Sequence, residues 1–510
     1  MREILAAVMA AGLSLGWASA APAPPSAPAP AATPDPASAL APLPPEARVA
    51  QSIRLDGRAL RYTAVAGALP VFDAEGKRIG EVTYTAYLLD GADPSSRPVT
   101  FAFNGGPGSS SGFLNIGAIG PKRVQFGAPG DSASDPLLLK DNPATWLGFT
   151  DLVFIDPVGT GFSRSFVDPE KTQKAFYGIQ QDVQYLSGAV FDWLKLNQRM
   201  ASPKYLVGES YGGFRTPRIA RELEAWRGVA VSGLVLISPY LDSQLQSPTG
   251  EPGTGVSPMP WIIDLPSMTA ARYEAQGLSL TPERMAEVED YAVGDYATTL
   301  MKGYSDPADF DRMVKRVAAY TGLDEGLVRA MGGRLEQEAF RRQRFAGQGL
   351  VGSRYDLNLT SRDAFPWAPD NRGGDAVVTT FTAVGGAMTD LLTRIIGWKA
   401  QGPYWAFNPT VSAHWEGWTQ NPDSVGALRE ILAFDAKFRV LIAHGYTDLS
   451  CPFFGSRLVI DQLPDGRPGG RLSLKVYPGG HMFYNRPGSD VAFRADVEAL
   501  YSGKPAARAP

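Results

Sequence analysis

Apolar residues in this chain fall into short runs of strand length, separated first by turns and later by stretches of helical spacing. In Arg58-Ala59-Leu60-Arg61-Tyr62-Thr63, Leu60 and Tyr62 alternate with Arg61 and Thr63, and Glu81-Val82-Thr83-Tyr84-Thr85-Ala86-Tyr87 alternates likewise. A period of two predicts strands, and Asp73-Ala74-Glu75-Gly76 supplies a turn between them. Val99-Thr100-Phe101-Ala102-Phe103, Leu152-Val153-Phe154-Ile155, Lys204-Tyr205-Leu206-Val207 and Leu234-Val235-Leu236-Ile237 read as strands. So do Arg439-Val440-Leu441-Ile442-Ala443 and Leu472-Ser473-Leu474-Lys475-Val476-Tyr477. Strands alternating with helical patterns predict an α/β fold with a mostly parallel central sheet. From about 241 to 402 the pattern turns helical. Thr281-Pro282 and Asp306-Pro307 are N-cap and first-turn proline signals. Met285, Val288 and Ala292, then Phe310, Met313, Val314 and Val317, follow at helical spacing. This predicts a mainly helical cap, 241–402, inserted into a core formed by 49–240 and 403–505.

Composition adds the chain's destination. With 510 residues, 44% of them hydrophobic, it can bury a large core. A net charge of −4, without a basic run or basic-aromatic stripe, argues against nucleic acid as a partner. Residues 1–20 have the form of a secretory signal: Arg2, an apolar stretch from Ile4 to Trp17, then Ala18-Ser19-Ala20 as a cleavage site. Residues 21–48 are Pro/Ala-rich, nearly uncharged and expected to form an extended linker. No other apolar run is long enough to span a bilayer, so the expected protein is exported, secreted or periplasmic, with no membrane span. Cys451 is the only cysteine, which excludes an intrachain disulfide. Asn358-Leu359-Thr360 has the form of a glycosylation acceptor. Nothing in the sequence sets the oligomeric state.

The chemistry centres on Gly208-Glu209-Ser210-Tyr211-Gly212, a G-x-S-x-G run between a predicted strand and a helical pattern at Ile219, Ala220 and Leu223. Strand, sharp turn and helix is the context of a nucleophile elbow, in which the serine hydroxyl stands above the sheet edge. An activated serine needs a base, and the base an orienting acid. The chain has three histidines: His414, His444 and His481. His481 lies in Gly479-Gly480-His481-Met482 just after a strand, and Asp448 lies in the loop after strand 439–443. Ser210, Asp448, His481 is the chain order of an α/β-hydrolase. That order favours His481 over His444 as base; His444 and His414 read as structural. Asp435 and Asp461 are weaker rivals for the acid. A glycine-rich stretch, Asn104-Gly105-Gly106-Pro107-Gly108-Ser109-Ser110-Ser111, starts where strand 99–103 ends. Its backbone N–H groups can serve an oxyanion. No Gly-Lys-Ser/Thr follows, so the phosphate-loop pattern is absent.

Asn-Gly-Gly-Pro-Gly-x-Ser-Ser, Gly-Glu-Ser-Tyr-Gly-Gly, Asp-x-x-Cys and Gly-His-Met, in this order, resemble the serine carboxypeptidase family. Asp141-Asn142-Pro143-Ala144-Thr145-Trp146 and Asp156-Pro157-Val158-Gly159-Thr160-Gly161-Phe162-Ser163 are similar to two further stretches of that family. The resemblance covers roughly 95–240 and 400–487, and the cap only by position. It implies an α/β-hydrolase fold with Ser210 as nucleophile, His481 as base and Asp448 as its orienting acid. The N–H groups of Gly106 and Tyr211 would form the oxyanion hole. Asn104, Gly105 and Glu209 would hold the free C-terminal carboxylate of a peptide, with Glu209 protonated because two carboxylates cannot cheaply share a site. An acidic pH preference follows. Met482 would line the pocket of the departing residue, and Cys451 would lie near it as a partly accessible thiol.

The chain departs from the family pattern at four places. Ser109 stands where a disulfide cysteine is usual. Ala118, in Leu114-Asn115-Ile116-Gly117-Ala118-Ile119-Gly120-Pro121, replaces a glutamate that would pair with Glu209. Ser238-Pro239 replaces Gly-Asn, and Tyr211-Gly212-Gly213 replaces Tyr-Ala-Gly. The first two departures, with the signal, suggest a divergent and bacterial branch. The expected function is an exported serine carboxypeptidase acting on peptides with a free C-terminus, without metal or organic cofactor. The alternatives are an esterase or acyltransferase on the same fold and, more remotely, a non-catalytic binding protein on a hydrolase scaffold.

Overall fold

The computed structural model describes residues 42–124, 139–245, 257–368, 374–417, 420, 422–467 and 469–503. The expected signal at 1–20 and the first part of the linker, 21–41, lie outside the described residues. The first strand starts at Ala47, inside the segment that composition assigns to the linker. Its pairing with the next strand, Ala47 opposite Ala66 through Leu55 opposite Arg58, supplies order that a Pro/Ala count does not reveal.

Ten strands form one sheet. They are β1 (Ala47–Leu55), β2 (Arg58–Phe72), β3 (Arg78–Leu89), β4 (Val99–Phe103), β5 (Asp151–Asp156), β6 (Arg164–Ser165), β7 (Lys204–Glu209), β8 (Gly233–Ile237), β9 (Arg439–Gly445) and β10 (Leu472–Tyr477). The order is β1-β2-β3-β5-β4-β7-β8-β9-β10, with β6 beside β3. β5, β4, β7, β8, β9 and β10 pair in parallel, and the β1–β3 meander joins antiparallel at β5. Parallel strands covered on both faces read as continuous apolar runs. Here the two faces divide residue by residue: Leu206, Leu234, Leu236, Val440 and Ile442 enter one cluster, and Val207, Val235, Ile237, Leu441 and Ala443 the other. The first cluster packs on helices α1 (Ile179–Leu196) and α2 (Tyr211–Arg227), through Leu186, Val190, Trp193, Ile219 and Leu223. The second holds Phe113, Trp146, Phe154 and Phe493. β3 differs from its expected one-faced alternation, because every residue from Glu81 to Tyr87 is buried. The reason is tertiary: β3 lies inside the sheet, between β2 and β5.

Between β8 and β9 the chain adds no strand to this sheet among the described residues. Its helices include α3 (Met259–Ala275), Pro282–Tyr291 and Pro307–Thr321. Thr281 and Asp306 cap the last two, accepting from the N–H groups of Arg284 and Asp309. Trp261, Leu265, Met285, Val288, Phe310, Met313, Val314 and Val317 pack in a third cluster. That cluster continues into Tyr446, Leu449, Phe453 and Phe454, next to the loop after β9. Val384, Met388, Leu391 and Trp398, assigned to the cap by sequence, pack instead with Phe113 and Phe162 against the sheet. Their apolar helix covers a sheet face, which a helical period alone cannot specify. Among the described residues, no helix is long and apolar enough to cross a membrane.

Leu206, fully buried in β7 just before the elbow, tests this core. Leu206→Ala is expected to cost about 2–5 kcal/mol of unfolding free energy in a urea titration. A loss below about 1 kcal/mol would mean that β7 does not carry the core contact described.

Candidate active site

β7 ends at Glu209, and α2 begins at Tyr211. Ser210 between them has φ 60° and ψ −125°. A left-handed φ is uncommon outside glycine and costs about 1–3 kcal/mol, so the surroundings must hold it. The Ser210 N–H donates to the Ile237 carbonyl at 2.9 Å, and its carbonyl accepts from Gly213 at 2.9 Å and Tyr240 at 3.2 Å. The turn is tight enough that a Cβ on Gly208 would lie 2.0 Å from the Gly212 carbonyl oxygen. The Ser210 side chain remains half-buried.

His481 Nδ1 and Asp448 Oδ2 are 2.7 Å apart. The other carboxylate oxygen accepts from the N–H groups of Ser450 at 2.7 Å and Cys451 at 3.1 Å. With Nδ1–H donated to Asp448, Nε2 of the neutral ring is left as the acceptor. Burial is the largest influence on His481 and favours its neutral form, but the Asp448 carboxylate outweighs it and holds the pKa above its ordinary value. The loop is pinned from both sides: His481 N–H donates to the Tyr355 carbonyl at 2.6 Å, and Ser238 Oγ donates to the His481 carbonyl at 2.8 Å. Ser238 itself has φ 41°. The Ser238-Pro239 departure therefore still takes the left-handed backbone that favours glycine, and gains a hydroxyl that holds the candidate base.

The other histidines stand apart. His444 is buried with Nε2 2.8 Å from Ser456 Oγ, and burial pushes its pKa down to about 3. His414 is exposed, with Nδ1 2.8 Å from the Thr410 carbonyl oxygen. Cys451 is only 2% exposed, which corrects the expected accessible thiol. It packs with Ile179, Tyr211, Phe214 and Tyr240, and its thiol hydrogen-bonds Ser210. Burial pushes the thiol pKa well up, so it is a neutral neighbour of the serine.

The glycine-rich loop lies against the elbow. A Cβ on Gly105 would sit 2.5 Å from the Tyr211 nitrogen and 2.8 Å from Ser210 Cβ, so only glycine permits this approach. Gly106 follows directly, at φ 101°. Asn104 is buried; its Oδ1 accepts from Leu114 N–H at 2.9 Å, and its side chain hydrogen-bonds Glu209. Burial raises the Glu209 pKa to about 7, against the opposing pull of His481, Tyr484 and Asn104. Tyr484 Oη donates to Glu209 Oε2 at 2.7 Å. Glu209 thus has a neutral hydroxyl partner from the loop after His481, while Ala118 stands where the family resemblance puts a carboxyl partner. Asn142, from the Asp-Asn-Pro stretch, fixes that segment by donating to the Ala118 and Gly120 carbonyls at 2.8 Å each. Met482 is half-buried next to His481 and packs on the second core cluster.

Three supporting groups were not legible as such. Arg215 Nε donates to Asp182 Oδ2 at 2.6 Å and Nη2 to Oδ1 at 3.0 Å, with both side chains buried. Its Nη1 donates to the Asn104 carbonyl at 2.7 Å, and the guanidinium lies 4.9 Å from the Tyr211 ring centroid. One residue thus ties α1, the elbow helix and the glycine-rich loop together. Asp156 lies beneath that loop, accepting from Ser111 N–H at 2.8 Å, and burial raises its pKa to about 7. The third is a strap, Ser353–Leu357, from the inserted segment. Leu449 N–H donates to Arg354 and Leu357 N–H to Thr447, both at 3.0 Å, and the Tyr355 ring meets His481 edge-on at 5.4 Å. No motif marks Asp182 or Arg215 in the sequence, and nothing in the spacing brings 355 to 481. Asn358 is held by Arg344 and Glu274, so its amide is engaged within the fold.

Residues 83–255 match the family model described as serine carboxypeptidase. Over these residues the chain is similar to the serine carboxypeptidase family. A 151-residue stretch is 33% identical to the pheromone-processing carboxypeptidase KEX1 of Yarrowia lipolytica, covering 29% of this chain and 22% of that protein. The retinoid-inducible serine carboxypeptidase of Mus musculus is 36% identical over 132 residues, 25% of this chain and 25% of that protein. Serine carboxypeptidase-like 8 of Arabidopsis thaliana is 30% identical over 183 residues, 34% of this chain and 40% of that protein. The chain's matches thus span between about a fifth and two fifths of these relatives' length. Over a longer span, the crystal structure of Kex1(Δ)p, a prohormone-processing carboxypeptidase from Saccharomyces cerevisiae, has a TM-score of 0.53 at 16% identity. It covers 87% of this chain and 91% of that one, and the two share the α/β-hydrolase fold. The matched segment contains Asn104, Glu209 and Ser210, whereas Asp448 and His481 lie beyond it and are brought to the elbow by the fold.

Removing one partner of the Asp182–Arg215 pair would strand a buried charge. Arg215→Met is expected to destabilise by about 3–5 kcal/mol, and Asp182→Leu combined with it to recover part of that loss. Denaturant titration of both variants checks this; equal losses would mean that the pair is not coupled.

Proposed function

We propose that the protein is a serine carboxypeptidase that removes C-terminal residues from peptides, and that it acts after export. Ser210 is the nucleophile, His481 its base and Asp448 the orienting acid. The observation that supports this most directly is the placing of a buried carboxyl, Glu209, beside both Ser210 and the amide of Asn104. Ester hydrolysis has no use for such a group. A peptide's terminal carboxylate does: protonated Glu209 and the Asn104 amide can both donate to it, and Tyr484 holds Glu209 in place. In the acylation step His481 Nε2 takes the Ser210 proton as Oγ bonds to the scissile carbonyl carbon, and the oxyanion meets the N–H groups of Gly106 and Tyr211. The imidazolium then gives its proton to the leaving amine, and the C–N bond breaks. Water resolves the acyl-enzyme by the reverse use of His481. The inserted helices that share the third cluster supply the cap over this site, with peptides carrying a free C-terminus as the partners.

The first test is release of the last residue from an N-blocked dipeptide, run beside its C-terminal amide and a simple ester. The free acid is expected to be cleaved and the amide poorly. Cleavage of the ester alone would overturn the carboxypeptidase reading. Ser210→Ala should lower turnover by more than about 10³-fold with an unchanged melting curve; higher residual activity removes Ser210 from the nucleophile's role.

The pH profile follows from two groups. Glu209 must be protonated to bind a carboxylate, so kcat/KM for the peptide acid is expected to fall as pH rises through about 7. His481 must be neutral to act as base, so rates for both substrates fall as pH drops below its pKa, which Asp448 holds above the ordinary histidine value. The ester should show only this second limb. Glu209→Gln should remove the alkaline fall for the peptide; a persisting fall would take Glu209 out of carboxylate binding.

A further inference from the structure

We propose that the Tyr484 hydroxyl, by bonding Oε2 of Glu209, confines that carboxyl's proton to Oε1 and keeps it available to a peptide's terminal carboxylate. Tyr484 is then a positioning residue that acts through Glu209. The inference rests on the carboxypeptidase reading above and concerns proton placement in the same clamp. Tyr484 lies three residues past His481, so its bond to Glu209 also ties the loop of the candidate base to the elbow. The tyrosine is itself held: its carbonyl accepts from Arg123 Nη2 at 2.7 Å, and Arg123 Nη1 pairs with Asp490 at 2.7 Å. Its ring meets Phe483 edge-on at 5.9 Å.

The placement follows from the donors and acceptors present. Tyr484 Oη is 2.7 Å from Glu209 Oε2, and both side chains are buried. Among the described residues the hydroxyl has no second hydrogen-bond partner. A carboxyl proton on Oε2 would point at the Tyr484 oxygen and leave the tyrosine hydrogen without an acceptor, and a buried donor left unpaired is costly. The tyrosine hydrogen therefore takes Oε2, and the carboxyl proton takes Oε1. Asn104 Oδ1 already accepts from Leu114 N–H, and the Asn104 side chain favours the charged form of Glu209, as a donated N–H does. A donor cannot receive the proton. A substrate carboxylate can, by accepting from Oε1 beside the Asn104 amide.

The same bond gives a pH effect its direction. The groups acting on Glu209 are His481 and Tyr484 from the loop after β10, Asp448 from the loop after β9 and Asn104 after β4. His481 favours the charged carboxyl and Asp448 opposes it, and these two are bonded to each other at 2.7 Å. Tyr484 donates to the carboxyl directly, which favours its charged form against burial. Burial and Glu209 push the Tyr484 pKa well above its ordinary value, with Arg123 opposing, so the phenol stays a donor. Without the hydroxyl, Glu209 is expected to hold its proton to higher pH.

The test is Y484F, which removes the hydroxyl alone, with kcat/KM for an N-blocked dipeptide acid followed from pH about 5 to about 9 beside the simple ester. In the unaltered protein the peptide acid is expected to lose about tenfold per pH unit on its alkaline limb, the slope of one proton. In Y484F that limb should move up by about one pH unit, the size of one hydrogen bond to a charged group. Difference infrared titration gives a readout apart from turnover. The Glu209 carboxyl band, identified by its loss in E209Q, should shift to higher frequency in Y484F, because a bond donated to the C=O oxygen weakens that stretch. Melting curves confirm that Y484F and E209Q are folded. An unmoved limb or an unmoved band in Y484F would overturn the proposal. A merely structural role for Tyr484 would give that result, lowering acid and ester rates together. A limb missing from the unaltered protein, or persisting in E209Q, would instead overturn the carboxylate clamp, and this inference with it.

Discussion

The arrangement depends on one strained residue. Ser210 is held at φ 60° where a parallel strand turns straight into a helix. The strain persists because its neighbours leave the chain no alternative. The Ile237 carbonyl takes its N–H, Gly208 and Gly105 supply the space, and Arg215 ties the helix that follows to the carbonyl of Asn104. The two hydrogen bonds among these are buried, and a buried polar group left unpaired is costly. Relaxing the serine would break both at once.

Burial also sets the site's charges. Glu209 and Asp156 are both carboxyls raised to about 7, chiefly by desolvation. They contact the two ends of the glycine-rich stretch: Glu209 meets Asn104, and Asp156 accepts from Ser111. Burial raises the Asp448 pKa as well, but there a histidine and two backbone N–H groups oppose it. Carboxyls within one site are thus assigned different tasks by what surrounds them. The neutral partner of Glu209 is part of this pattern. A tyrosine hydroxyl stabilises its position without adding a second negative charge.

The inserted segment supports the candidate site. Its helices share a cluster with Tyr446, Leu449 and Phe453, so they buttress the loop that carries Asp448. Its strap hydrogen-bonds both the Asp448 and His481 loops. A substitution in the insertion can therefore change the orientation of the candidate base without touching it.

By itself the sequence determined the sheet, the elbow and the glycine-rich loop, because these depend on local spacing. Strand runs, the G-x-S-x-G turn and the capping signals at Thr281 and Asp306 are properties of neighbouring residues. Chain order after a strand likewise singled out His481 and Asp448, which the fold brings to 2.7 Å. Only the tertiary structure decided what each side chain is buried against. Cys451 read as accessible but is sealed by Tyr211, Phe214 and Tyr240. Arg215 belongs to no motif and is buried with Asp182. Tyr484 meets Glu209 across 275 positions, and Tyr355 reaches His481 from the inserted segment. Such pairings leave no period or motif, because they arise where separate elements pack, and packing is a property of the whole chain.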